Sequence, residues 1–400
     1  MHKPLPDASW RQRPGLDQLL AALGESNARF VGGAVRDGLL GLPVSDIDIA
    51  TPLAPQQVIE RLSPAIRTVP TGIDHGTVTA ILDGAPIEIT TLRRDVATDG
   101  RRATIAYTDD WREDAARRDF TINALYADPA SGEISDYFGG LADLEAGRVR
   151  FIGDPSARIA EDHLRILRYF RFHARFGKGA PDVQSYAACR AAANSLMALS
   201  RERIADELLK LLALPDPSSA VGLMIEGGIF KPVLPEIDTD GLNRLALLVG
   251  REAQAGMPNA PIRRLAALLP PEPALGESIG ARLKLSNKAR RRLTLALAQD
   301  GAAARPRVLA FRIGVEGAQD RILLDRAAPV ADLDLLRDWT PPALPISGGA
   351  LIARGLAPGP DIARALNAVQ EQWLAEDFPD RQRVEAIADQ IAWKFQRARQ

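Results

Sequence analysis

The spacing of apolar residues changes once along this chain of 400 residues, near Asp154, and that change limits the architectures open to it. Before it, apolar and polar residues alternate over short runs divided by turn signals, the two-residue period of strands. Residues 78–82 and 87–92 flank Asp83-Gly84, a pairing that predicts a hairpin. Residues 30–33 read as a short strand breaking at a double glycine, residues 34–40 and 55–62 as helices, and 46–50 as a half-buried strand. Residues 96–111 are polar, arginine-rich and contain glycine, and are expected to form a mobile loop. After Asp154 apolar residues recur at helical spacing through 159–176, 203–212, 220–229 and 242–249, and Ala- and Leu-rich helices continue to the end. Prolines mark linkers at 256–261, 270–273 and 341–345. The expected class is α+β: an α/β head with a small mixed sheet over 1–150, a helical neck over 151–215, and an all-helical body and tail over 216–400.

Composition removes several function classes. No apolar run approaches the roughly 20 residues needed to cross a bilayer, and residues 1–10 hold prolines and no apolar core, so neither a membrane span nor a signal peptide is expected. One cysteine, Cys189, excludes an intrachain disulfide framework and a cysteine-only metal site, and fits a reducing, cytoplasmic setting. The formal net charge of −1 argues against a uniformly basic nucleic-acid binder but leaves room for a local basic groove. Arginines do cluster: Arg93, Arg94, Arg101 and Arg102, then Arg117 and Arg118, then a series from Arg158 to Arg175.

Two motifs carry chemistry. Gly32-Gly33-Ala34-Val35-Arg36-Asp37 places a double glycine before a helix, where backbone N–H groups can approach phosphate oxygens and Arg36 can add a bidentate contact. Asp46-Ile47-Asp48 follows closely. Two carboxylates two residues apart on a strand share a face, while Ile47 and Ile49 point into the sheet. Such a pair suits Mg²⁺, which takes one or two carboxylates and completes its shell with substrate phosphates. Two ions about 3.5–4 Å apart would activate an attacking hydroxyl and stabilise a leaving pyrophosphate. Glu88, in Ile87-Glu88-Ile89-Thr90, has two readings: a third carboxylate of the same cleft, or an exposed strand residue.

With these residues in hand, the chain resembles the class II tRNA nucleotidyltransferases, the bacterial CCA-adding enzymes, and their close relatives the bacterial poly(A) polymerases. Arg117-Arg118-Asp119-Phe120-Thr121-Ile122-Asn123-Ala124 is similar to that family's second motif, and Glu161-Asp162-His163-Leu164-Arg165 to its nucleotide-selecting motif. Further matches run collinearly through Ser200-Arg201-Glu202-Arg203-Ile204, Leu285-Ser286-Asn287-Lys288 and Leu344-Pro345-Ile346-Ser347-Gly348-Gly349. The resemblance implies a polymerase-beta-like head, metal binding by Asp46 and Asp48, and nucleotide contacts from Gly33, Arg36 and Arg118. It also implies Asp119 near the ribose, and Asp162, Arg165, Arg168 and Arg171 lining the nucleotide pocket. The implied partners are CTP, ATP and tRNA held by its acceptor stem and elbow, with no membrane or protein partner. Poly(A), CC-only or A-only addition, and a non-catalytic RNA-binding relative, are the alternatives. Some relatives carry a histidine-aspartate phosphohydrolase domain; no histidine follows His173, so none is expected here.

The selecting motif can be judged by its chemistry. Read as one helix, Asp162 and Arg165 stand three apart on one face. Aspartate accepts hydrogen bonds and arginine only donates them. Cytosine and adenine both present an amino donor beside a ring-nitrogen acceptor; uracil and guanine present a carbonyl beside a ring N–H. An Asp/Arg pair therefore takes C and A, and leaves buried polar groups unpaired against U and G. Arg168 and Arg171 continue the row. Tyr169, Phe170 and Phe172 between them point to a packed helix with a functional arginine face, in place of a solvated one. His75, His163 and His173 are read as structural.

Overall fold

The computed structural model describes residues 4–63, 65–98, 103–298 and 300–397. The chain divides into two compact units between Ile237 and Asp238.

The first unit is built on a seven-stranded mixed sheet. Its elements in order are α1 (Leu16–Leu23), β1 (Arg29–Val31), α2 (Gly33–Leu39), β2 (Asp48–Thr51), α3 (Pro55–Leu62), β3 (Arg67–Gly72), β4 (Thr77–Leu82) and β5 (Ala85–Thr91). Then follow β6 (Arg93–Thr98), β7 (Ala103–Tyr107), α4 (Trp111–Ala116), β8 (Leu125–Ala127), β9 (Ile134–Asp136) and α5 (Gly140–Ala146). The sheet order is β3-β4-β5-β2-β1-β8-β9, so β2 lies in the middle. It pairs parallel with β5 and antiparallel with β1, and every other pairing is antiparallel. The β4–β5 hairpin forms as its turn demands, with Asp83 and Gly84 both at positive φ, 50° and 75°. Val31, Ala50, Leu92, Ala115, Ala124, Tyr126 and Ile152 form a core cluster of the sheet.

Five helices complete this unit: α6 (Pro155–Glu161), α7 (Arg165–Phe176), α8 (Val183–Ala191), α9 (Arg201–Leu212) and α10 (Ser218–Glu226). Phe120 joins α7 to the sheet. Its ring lies 5.0 Å from Phe151 and 5.0 Å from Phe172, and Phe151 stacks on Tyr169 at 5.7 Å. Phe120, Phe151 and Tyr169 pack the apolar side of α7, and Phe172 lies at its edge beneath the guanidinium groups of Arg168 and Arg171, at 5.4 and 4.7 Å. Cys189 is buried on α8, as expected of a small core residue.

Two expectations need correction. The stretch 96–111 is not a loop throughout: β6 and β7 pair as an antiparallel ribbon and α4 begins at Trp111. Val96, Thr98, Thr104 and Ile105 are β-branched and favour extended backbone, which the polar content of the segment concealed. Arg101 and Arg102 lie outside the described residues. The helix expected over 159–176 is two helices, broken at Asp162, whose backbone is extended at φ −152°, ψ 108°.

Among its described residues the second unit is helical in its regular structure: α11 (Thr239–Gln254), α12 (Pro261–Leu268), α13 (Pro273–Arg282), α14 (Asn287–Ala296), α15 (Pro306–Ile313), α16 (Val315–Leu324), α17 (Gly348–Ala353), α18 (Pro360–Ala375) and α19 (Arg381–Arg397). The expected linkers fall between α11 and α12, between α12 and α13, and before α17. Pro261 and Pro273 open the helices that follow, where a missing N–H costs nothing. Trp373, Val384, Ile387 and Leu351 centre one core. A buried ion cluster makes another join: Glu252 of α11 takes Arg263 at 2.6 Å and Arg264 at 2.8 Å, and Asp320 of α16 takes Arg263 at 3.2 Å and Arg292 at 2.7 Å. Among the described residues no helix is long and apolar enough to cross a membrane.

Candidate active site

A cleft of about 620 Å³ opens in the first unit, lined by Gly32, Gly33, Arg36, Asp46, Asp48, Arg117, Arg118, Asp119, Asn123, Asp162, Arg165, Arg168, Arg171 and Phe172. Every expected site residue except Glu88 is among them.

Its floor is the β1–α2 turn. Gly32 holds φ +67°, a backbone conformation that side chains resist, and a Cβ there would come within 3.4 Å of the Arg118 guanidinium. Gly33 has ordinary φ, and a Cβ on it would meet only Arg36, at 3.7 Å. The tight turn is therefore a property of Gly32, and openness toward the cleft a property of Gly33. Arg36 is 6% exposed, and burial pulls its pKa down against the pull of Asp37. It donates to Asp37 at 2.8 Å and to the Asn123 carboxamide, and lies 4.2 Å over the ring of Phe176.

Asp46 and Asp48 both face the cleft, but not as two residues of one strand. β2 begins at Asp48; Asp46 precedes it, exposed, and accepts from the Ser45 hydroxyl at 2.8 Å. Ile47 and Ile49 are buried, as the alternation required. Glu88 of β5 stands in register with Asp48 across the parallel pair, exposed and outside the cleft lining. Burial, then the charges of Glu88 and Asp46, push the Asp48 carboxyl up to about 6 despite Arg118. That cost of ionisation is one a bound cation would relieve. Among the described residues no three His, Cys, Asp or Glu side chains form a group that could hold a metal ion. Two carboxylates without a protein cage fit Mg²⁺ completed by substrate phosphates.

The opposite wall comes from the 3₁₀ turn after Arg118 and from α7. Asp119 is buried and its oxygens are committed: one accepts from the Phe120 amide at 2.8 Å and Asn123 at 2.9 Å, the other from Arg168 at 2.9 Å. Burial pushes its pKa up, and Arg168, Asn123 and the Phe120 amide together outweigh that and hold it below the usual range. Arg118 donates to Tyr126 at 3.1 Å and to the buried Asp114 at 3.2 Å. Arg165 is fixed by Glu161 at 2.5 Å and by the carbonyls of Arg158 and Arg117 at 3.0 and 3.2 Å.

Asp162 and Arg165 line the same cleft, though not from one helix face. Asp162 closes α6 in extended conformation because its carboxylate accepts the Leu164 N–H at 3.1 Å, a local bond that competes with helix. Arg165 then opens α7, its N–H bonded to the Asp162 carbonyl at 3.0 Å.

Sequence reasoning missed three organising residues. Asn123 ties Arg36 to Asp119. Glu207, 3% exposed on α9, accepts from Arg171 at 2.6 Å and lies 3.7 Å from Arg168. Arg203, also on α9, donates to Asp162 at 2.7 Å. Asn123 and Arg203 sit inside quoted motifs; nothing local marked Glu207.

Comparison with known proteins identifies what the chain is similar to. Residues 28–150 match the family described as "Poly A polymerase head domain", and residues 181–240 the one described as "Probable RNA and SrmB- binding site of polymerase A". A mouse protein named "CCA tRNA nucleotidyltransferase 1, mitochondrial" is 34% identical over 384 residues, covering 91% of this chain and 87% of that protein. A "CCA-adding enzyme" of Latilactobacillus sakei is 40% identical over 220 residues, 54% of each chain. The crystal structure of the Bacillus stearothermophilus CCA-adding enzyme in complex with CTP superposes with a TM-score of 0.77 at 27% identity, over 97% of this chain and 98% of that one.

Proposed function

Because the chain belongs to the CCA-adding tRNA nucleotidyltransferases, we propose that it adds CMP and AMP, from CTP and ATP, to the 3′ end of tRNA without a nucleic-acid template. The observation that carries this reading is one cleft holding two unlike walls: Asp46 and Asp48 on the first, Asp162 and Arg165 on the second. The first suits phosphoryl chemistry, the second suits a base edge.

In the reaction the terminal 3′-hydroxyl oxygen bonds to the α-phosphorus of the incoming nucleotide, and the bond to pyrophosphate breaks. Enzymes of this family use a divalent metal. We assign Mg²⁺, as a two-ion site, to Asp46 and Asp48, where it would lower the charge of the triphosphate and acidify the attacking hydroxyl. The open backbone at Gly33 lets phosphate oxygens approach, and Arg36 and Arg118 face the charge they carry. Asp119, already saturated by Arg168 and Asn123, orients Arg168 toward the nucleotide and lies where a ribose would pass. Asp162 accepts the amino group of C or A, and Arg165 donates to the neighbouring ring nitrogen. With U or G neither group finds its complement on the base, a loss of about 1–3 kcal/mol for each polar group that the bound base desolvates. Arg168 and Arg171, held by Glu207, complete the nucleotide wall. Glu88 acts on Asp48 by charge and is not assigned a ligand role.

In this reading residues 1–150 carry the chemistry, 151–215 select the nucleotide, and 216–400 hold the acceptor stem and elbow of the tRNA. A cytoplasmic location is our reading of the single cysteine. Asp46→Ala should abolish addition of CMP to tRNA lacking its 3′ CCA while leaving RNA binding largely intact. A variant that still turns over would place the metal elsewhere.

A further inference from the structure

We propose that Arg203 is a positioning residue for nucleotide selection: from α9 it holds the Asp162 carboxylate in the orientation that reads the base. This rests on the assignment of Asp162 as the acceptor for the amino group of C and A.

Asp162 lies at a break between two helices, where backbone geometry alone fixes little of a side chain's direction. Two donors fix it here. The Leu164 N–H takes one carboxylate oxygen at 3.1 Å, and the Arg203 guanidinium takes the other at 2.7 Å. Each carboxylate oxygen can accept more than one hydrogen bond, so both bonds leave lone pairs for a nucleotide amine. Arg203 thus fixes the direction of the reading group.

The surroundings support this division of labour. Arg203 is absent from the cleft lining, so its action runs through Asp162. Four residues further on, one turn along the same helix, Glu207 holds Arg171 and Arg168. α9 therefore backs the nucleotide wall with a cation behind the carboxylate and a carboxylate behind the cations. Arg203 sits in the first turn of α9 with its side chain about a third exposed, at 35%, so loss of its guanidinium leaves no buried hole.

The test compares wild type, Arg203→Ala, Arg203→Lys, Asp162→Ala and the Arg203→Ala/Asp162→Ala double variant. Each is assayed for kcat and KM with CTP, ATP, UTP and GTP on tRNA lacking its CCA or ending in CC, and for its thermal midpoint. Loss of one charge-assisted hydrogen bond predicts that Arg203→Ala raises KM for CTP and ATP roughly tenfold and narrows CTP-over-UTP discrimination by about the same factor. Here kcat changes less than KM, and the thermal midpoint stays close to wild type. Arg203→Lys, which keeps a donor and the charge, recovers most of the discrimination. In the double variant Arg203→Ala adds nothing to the selectivity loss of Asp162→Ala, because its effect passes through that carboxylate. If Asp162→Ala relaxes selection while Arg203→Ala does not, or if the two losses add, the positioning role is overturned and the base-reading assignment stands. If Asp162→Ala leaves discrimination against UTP and GTP unchanged, the assignment of Asp162 fails and this proposal with it.

Discussion

Asp48 on β2 and Glu88 on β5 are neighbours in register across a parallel strand pair. Burial and that neighbouring charge raise the Asp48 carboxyl to about 6, so protons and cations compete for it near neutral pH. The Mg²⁺ concentration giving half-maximal activity should therefore rise as pH falls below about 6 and level off above pH 7. Glu88→Gln removes one of the charges that raise Asp48, so the acid limb should move to lower pH. A Mg²⁺ titration of activity between pH 5.5 and 8 measures both. An acid limb that stays in place or moves up would contradict the electrostatic link.

Gly32 and Gly33 should separate stability from binding. Gly32→Ala forces a Cβ onto a backbone at φ +67° and toward Arg118. It should cost roughly 1–2 kcal/mol of stability. Gly33→Ala meets only Arg36 at ordinary contact distance, so it should fold normally and raise KM for all four nucleotides alike by crowding the phosphates. Urea denaturation alongside steady-state kinetics decides. A Gly33→Ala variant with wild-type KM would remove phosphate approach from the role of that residue.

The ion cluster of the second unit should behave as a buried network. Glu252 is 1% exposed and holds Arg263 and Arg264, themselves buried. Glu252→Ala removes the carboxylate that Arg263 and Arg264 share and should destabilise by about 3–5 kcal/mol, whereas Glu252→Gln, which keeps acceptor and volume, should cost less. Denaturant midpoints measure the difference. Equal losses would show that packing, and not charge, dominates there.

How far the sequence spoke for the structure depended on how local each signal was. The hairpin at Asp83-Gly84 and the buried Ile47 and Ile49 follow from short-range period, and Arg36 and Asp48 from motif spacing, whereas the place of Arg118 beside them is implied by the family resemblance alone. The break at Asp162 did not follow from period, because Glu161-Asp162-His163-Leu164-Arg165 keeps helical spacing and only its carboxylate, bonding the Leu164 N–H, ends the helix. The ribbon flanking residues 99–102 was hidden by polar composition. Glu207 and Arg203 act on residues 36 and 41 positions away, a relation the fold alone creates. Arg263 and Arg264 likewise find their partners, Glu252 and Asp320, on other helices.

The central claim is that this cleft adds C, C and A to tRNA. Single-nucleotide gel analysis tests it most directly, using tRNA that lacks its 3′ CCA, with Mg²⁺ and CTP, ATP or both. The expected result is two additions with CTP alone, a third only when ATP is also present, and none from UTP or GTP. A long ladder from ATP that needs no CTP would contradict it and make the protein a poly(A) polymerase.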